Sequence, residues 1–426
     1  MTAPTGVTDP APDVAATSLL GRLLPSDRSA RVLAAATLVN MVGNGFYLAS
    51  SMLFFTRVVQ LSTTEVGEGL AVCAVVGVFA GVPLGHLADR LGAREVFIAL
   101  QLVQAAAMML FPLVHGFPAF LAVVVVAAVG QRGGTAVGGA LIAYIATPAR
   151  RTSTRAYLRS VINAGTAVGV AAAGFALQAN SRHDYVLLVL GNGLTFLLAA
   201  VILLWLPRVP PRQAPPQASR AEALRDRPYL AVAALSGVLA FQYDVMSVAL
   251  PLWVVQETGA PRWSLSLLLV GNTAVIVLFQ VRAARGVVDV TSAGRVTRRS
   301  AVVFLVSCTA IALAAGTPAA VALPLLAGGV LVHSVGELWF AAGTFELGYG
   351  LARDHAQGQY QGVFNLAAGL ARSASPLVLT TLCLEWGRPG WIVLGIGLAV
   401  TGLAVPPVAA WAARSRLPEP PLTSNS

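Results

Sequence analysis

Apolar positions along this chain come in long runs, and polar positions gather in the short gaps between them. A helix needs about twenty apolar residues to cross a bilayer, and roughly twelve runs of that kind can be read. The first half supplies 32–55, 66–87, 96–113, 120–145, 156–179 and 185–206. The second half supplies 229–255, 264–281, 301–315, 321–346, 358–384 and 391–413. The pattern predicts an all-α integral membrane protein with twelve transmembrane helices in two pseudo-symmetric six-helix bundles.

The stretches between and beside the runs set the organisation. Residues 207–228 hold Pro207, Pro210, Pro211, Pro215 and Pro216 together with Arg208, Arg212, Arg220, Arg225 and Arg227, which reads as a polar linker with little reason to fold. The expected division is a tail at 1–30, a bundle at 31–206, the linker at 207–228, a second bundle at 229–413 and a tail at 414–426. The N-terminal tail has no basic start leading into an apolar core, so the first span is expected to remain uncleaved. Arginine sets the orientation. Arg90, Arg94, Arg150, Arg151, Arg155, Arg285, Arg295, Arg298, Arg299 and Arg353 fall in loops on one side, and Arg57, Arg182, Arg262 and Arg388 on the other. The rich side is expected to be cytoplasmic and to carry both termini and the linker.

Composition agrees and narrows the class. The chain is 56% hydrophobic and 11% charged, against roughly 25% charged in a soluble domain. Every one of its 28 basic Lys+Arg residues is arginine, which with the Ala and Gly excess points to a high-GC bacterium. The net charge of +10 is spread over loops, so nucleic-acid binding is not expected. Cys73, Cys308 and Cys383 lie in apolar runs with no metal or disulfide spacing. No Gly-Lys-Ser/Thr phosphate loop and no Gly-x-Ser-x-Gly elbow occurs, so neither ATP nor enzymatic chemistry is expected.

The densest motif lies between the second and third runs: Gly85, His86, Leu87, Ala88, Asp89, Arg90, Leu91, Gly92, Ala93 and Arg94. Its Gly85, Asp89, Arg90, Gly92 and Arg94 resemble the signature loop of the major facilitator superfamily, where the Asp pairs with basic neighbours and latches the cytoplasmic side in one state. The resemblance implies a transporter of twelve helices whose two halves rock about a central cavity. The corresponding second-half loop, Arg285, Gly286 and Asp289, is degenerate.

Further polar residues sit within the runs. Arg132, in Gly130-Gln131-Arg132-Gly133-Gly134, must face protein or water, because a guanidinium in hydrocarbon is costly. Its setting looks like the span-four motif of proton-coupled members. Gly165 and Gly169 form a small-xxx-small packing face. They resemble the span-five glycine motif of drug antiporters, but Val170 stands where that motif has proline. Intramembrane acids are candidates for proton coupling: Glu337 with His333 four residues before it, then Asp244. Glu337 is alternatively a static hydrogen-bond anchor, and Asp244 alternatively a gate, with Pro251 and Trp253 following it. Asn40, Asn44 and Tyr47 on the first span, with Gln242, Tyr243, Asn272 and Trp339, are candidates for lining the cavity or for bonding helices together. The stretch from His333 to Trp339 with Arg353 to Gly362 resembles bacterial drug-efflux members.

The resemblance implies export of lipophilic drugs or secondary metabolites by proton antiport across a bacterial cytoplasmic membrane. No cofactor is expected, the proton gradient being the driving force, and a monomer is the family default. An uptake or facilitative carrier for a small nutrient and a non-transporting membrane sensor of the same fold stay as alternatives.

Overall fold

The computed structural model describes residues 27–177, 181–208 and 221–416. Both expected tails, apart from residues 27–30 and 414–416, and linker residues 209–220 lie outside the described residues. Twelve helices follow one another. They are α1 (Arg28–Arg57), α2 (Thr63–Leu91), α3 (Ala93–Leu110), α4 (Phe117–Ile145), α5 (Pro148–Ala176), α6 (Arg182–Leu203), α7 (Arg227–Glu257), α8 (Ser264–Ala284), α9 (Val290–Leu313), α10 (Ala319–Gly350), α11 (Gln357–Glu385) and α12 (Arg388–Arg414). Eleven are long and apolar enough to span a bilayer as they stand, and α2 completes twelve as a span bent by 42°. Its Pro83 removes an N–H from the ladder one turn past the bend, which accounts for the kink.

The helix starts are written in capping chemistry. Ser62 with Glu65, Ser181 with Asp184 and Asp289 with Ser292 each form a reciprocal capping box. Pro148, Pro228 and Pro389 occupy first-turn positions, where a missing N–H costs nothing. α2 and α3 are divided by Gly92 alone, at φ 102°, which an L side chain resists.

Two expectations are corrected. Residues 85–94 are not a loop: they are the last turns of α2, the Gly92 break and the start of α3. Arginines assigned to loops also lie on helices. α5 begins at Pro148 rather than at 156 and carries Arg150, Arg151 and Arg155; α9 begins at Val290 rather than at 301 and carries Arg295, Arg298 and Arg299. Hydropathy marks where lipid begins, whereas a helix continues past it as long as its arginines reach water. Part of the linker folds too, as a single helical turn over Glu222–Arg225.

The packing is periodic by six. In the first half α1 packs on α5 and α6, α2 on α4, and α3 on α4 and α6; in the second, α7 packs on α11 and α12, α8 on α10, and α9 on α10 and α12. The seam between halves obeys the same shift, pairing α2 with α11 and α5 with α8, then α4 with α11 and α5 with α10. The second half has one continuous apolar core, including Trp253, Phe304 and Trp391. The first half has two separate clusters, one around Leu33, Leu141 and Leu203 and one around Phe54, Phe55, Phe111 and Phe120. Beside the second of these lies a cavity.

Candidate functional site

The two halves meet at the arginine-rich end. There Asp89, one turn before the end of α2, reaches across to the first turn of α11. Its carboxylate accepts from the backbone N–H of Gly358 at 2.7 Å and of Gln359 at 3.0 Å, and from the Tyr144 hydroxyl at 2.7 Å. A carboxylate on unsatisfied helix-start N–H groups is favoured by capping and by the helix dipole. This replaces the expected pairing of Asp89 with basic neighbours. Arg90 is exposed, and Arg94 turns the other way, donating to the carbonyls of Leu203 at 3.2 Å and Leu204 at 2.6 Å and so closing the end of α6. Gly85 lets α2 touch α11: a Cβ there would lie 2.1 Å from the Gly358 carbonyl oxygen.

The second seam is a ladder on α5. Arg151, Arg155 and Arg159 recur every four residues, hence on one face. Arg151 lies 3.8 Å from Asp354, Thr152 donates to Glu346 at 2.5 Å, and Arg155 donates to the Tyr349 hydroxyl at 2.9 Å while covering the Phe345 ring. Deepest, Arg159 pairs with Glu337 of α10 at 2.5 Å and donates to the Tyr243 hydroxyl at 2.5 Å. The other Glu337 oxygen accepts from Asn272 of α8 at 3.5 Å, and Asn272 also donates to Ser334 at 2.9 Å. Four helices therefore converge on one buried carboxylate.

His333 does not join it. Though one helical turn away, its ring is buried between the Gln242 carbonyl at 3.0 Å and the Ser307 hydroxyl at 3.4 Å, against Phe304. It is a bolt from α10 to α7 and α9. Gln242 is likewise shut inside the second half rather than lining a cavity, its side-chain amide unpartnered. Trp253 lies in the core of the second half, its indole N–H donating to the Ile311 carbonyl at 2.9 Å.

Asn44, Tyr47, Cys73, Gln104, Gln131, Arg132 and Asn192 edge a cavity of about 220 Å³ inside the first half, with Leu70, Met108, Val124 and Phe196 as its apolar wall. Arg132 makes no hydrogen bond or ion pair among the described residues. Opposite, Arg372 of α11 reaches Asp244 at 3.3 Å, beside a π-turn over Val245–Ala249 that breaks α7. Such turns recur at functional sites. Asn40 is buried on α1 with an unpartnered amide nitrogen, and Trp339 is half-buried. Gly165 and Gly169 face α1: a Cβ at Gly169 would lie 2.0 Å from the Val42 carbonyl oxygen.

Hydropathy alone passes over Arg159 and Arg372. Arg159 lies just inside the expected span 156–179, and its four-residue spacing from Arg151 and Arg155 was its signal. Gln104, with Gln101 three residues before it, and Asn192 lie in apolar runs that hydropathy reads only as spans.

A family profile described as Major Facilitator Superfamily matches residues 33–376. No curated protein matches the chain. Among solved structures, a bacterial homologue of the iron transporter ferroportin in its outward-facing state has a TM-score of 0.71 at 15% identity, over 91% of this chain and 100% of that one. The human organic anion transporter MFSD10 has a TM-score of 0.66 at 16% identity, over 90% and 100%. The transporter FucP in its outward conformation has a TM-score of 0.66 at 14% identity, over 90% and 98%. At such identities the likeness speaks for the fold.

Proposed function

The chain belongs to the Major Facilitator Superfamily, and on that premise we propose that it exports lipophilic small molecules across a bacterial cytoplasmic membrane in exchange for protons. It is a multi-pass membrane transporter and not an enzyme. In this reading the arginine-rich end is cytoplasmic, with both termini and the linker, and the described conformation is open to the outside. The protein works as a monomer in the bilayer.

The observation that carries the reading is the Glu337–Arg159 pair. A buried ion pair is held together by the charge on both partners, and removing one leaves the other uncompensated, at a cost of about 3–5 kcal/mol. A proton entering from the outer cleft and landing on Glu337 discharges the pair. Arg159 then keeps only Tyr243, the α5–α10 seam loosens, and the cytoplasmic end opens. Loss of the proton to the cytoplasm, with cargo loaded in its place, restores the pair on the return. Mostly apolar walls around a few amides support a lipophilic cargo.

The test is transport in proteoliposomes holding the purified chain, with neutral, anionic and cationic lipophilic dyes and an imposed pH gradient. The expected result is dye movement against its gradient that collapses when a protonophore is added. Dye movement indifferent to the pH gradient overturns the coupling.

A further inference from the structure

The charge in the middle of the cleft does not balance. Arg132 stands on α4 with its guanidinium at the cavity edge and no protein partner among the described residues. Its stem is wedged against α2, so close that a Cβ at Gly77 would meet its Cγ at 2.9 Å, and the residue lines the cavity. Arg372, from the other half, has a side chain 56% exposed, lies within electrostatic reach of Arg132 and touches one oxygen of Asp244 at 3.3 Å. The second Asp244 oxygen is unpartnered. The Arg159–Glu337 pair below is neutral as a unit. Two guanidiniums against one carboxylate leave one positive charge at membrane depth, where an uncompensated cation is costly.

Beside this charge the first-half core is interrupted. The cavity is cut into the cluster around Phe54, Phe55, Phe111 and Phe120, whose Cys73, Met108, Val124 and Phe196 line it, and Asn44, Gln104 and Asn192 interrupt that lining, the last with an unpartnered amide oxygen. At about 220 Å³ the cavity is smaller than the roughly 300–1,000 Å³ of pockets that take a whole drug-sized ligand. It therefore takes one apolar part, and the remainder lies in the cleft.

We infer that the cargo is an organic anion: its acidic group bridges Arg132 and Arg372, one from each half, and its apolar body enters the cavity between α1, α2, α3, α4 and α6. This rests on the exporter reading and names its substrate class. Guanidinium forks match carboxylate geometry. A ligand held by one arginine from each half also ties cargo occupancy to the spacing of the halves. A lipophilic cation would meet two guanidiniums in the same place.

Three ligands of nearly one shape decide the matter: 2-naphthoate, 2-naphthamide and 2-naphthylmethylammonium, titrated against the full-length protein in detergent with no gradient present. Naphthoate is expected to bind at least tenfold more tightly than the amide, and the ammonium least. Arg132→Gln and Arg372→Gln should each lose about tenfold for naphthoate with the amide unchanged, while Arg132→Lys keeps part of the preference. Should Arg132→Gln fail to fold, the three-ligand comparison on the unaltered protein and Arg372→Gln still decide. Equal affinities, preference for the ammonium or binding of none overturns the inference. If naphthoate is preferred but ignores a pH gradient in proteoliposomes, the exporter reading fails and the anion site stands. If a pH gradient drives the ammonium and not the naphthoate, the reverse holds.

Discussion

Gly85 of α2 and Gly358 of α11 are pressed backbone to backbone, so that a Cβ built on either would sit 2.1 Å from the other's carbonyl oxygen. No side chain can be spared there, because the obstacle is main chain on both sides. Gly85→Ala or Gly358→Ala should keep the arginine-rich end from closing. Spin labels at Leu91 and Arg353 should report a longer mean separation than in the unaltered protein. An unchanged distance would mean that the seam yields.

Asp89 holds that same seam by charge and capping. Asp89→Asn keeps the shape but weakens the bonds to Gly358 and Gln359. A cap is worth about 0.5–2 kcal/mol, which is a few-fold to some thirty-fold in the balance of open and closed states. Tyr144→Phe removes one hydrogen bond to the Asp89 carboxylate but leaves both N–H partners in place, and should have a smaller effect in the same spin-label measurement.

Glu337→Gln should abolish the response of transport to a pH gradient while leaving a folded, monodisperse protein. Arg159→Gln should act at the same step. If the two residues work as a pair, the double variant is no worse than the poorer single one, and additive losses would separate them.

Gly169 and Gly174 are a matched contrast on α5. A Cβ at Gly169 would strike the Val42 carbonyl oxygen at 2.0 Å, whereas at Gly174 it would meet nothing within 4 Å. Gly169→Ala should lower the melting temperature by the equivalent of about 1–3 kcal/mol, the usual cost of overpacking. Gly174→Ala should leave it unchanged or slightly higher, since alanine is the better helix former.

Asp289 caps its own helix, α9, rather than a helix of the other half. Its bonds from Ser292 hold the carboxyl below the usual carboxylate range. A carboxyl lowered in the folded state stabilises above its unfolded pKa of about 3.9, and that support is lost as pH falls through the folded value. Asp289→Ala should therefore cost up to about 1 kcal/mol at neutral pH and less at acid pH, with the melting curves converging once the carboxyl of the folded protein is protonated.

The helix count was legible in the chain because lipid imposes a length on every span, and the Gly85–Arg94 motif stood out because its glycines and charges are dense. The roles within the motif did not. Asp89 binds peptide groups two hundred and seventy residues away, and backbone partners leave no trace in side-chain pattern. Glu337 stood out as a carboxylate in an apolar run, but its partner did not: Arg159 lay inside the expected span 156–179, and nothing in the sequence says which residue of another helix it meets. His333 was joined to Glu337 by spacing alone. One helix turn brings two residues to the same face, but rotamer and neighbours decide what each one touches, and His333 turned to the Gln242 carbonyl.

The seam between halves maps onto itself when helix numbers are shifted by six, α2–α11 onto α8–α5 and α4–α11 onto α10–α5. A single rigid rotation therefore unfastens both sides together. A compound or antibody fragment wedged into either one would arrest the whole cycle without entering the cavity, so inhibitors of this protein need not resemble what it carries.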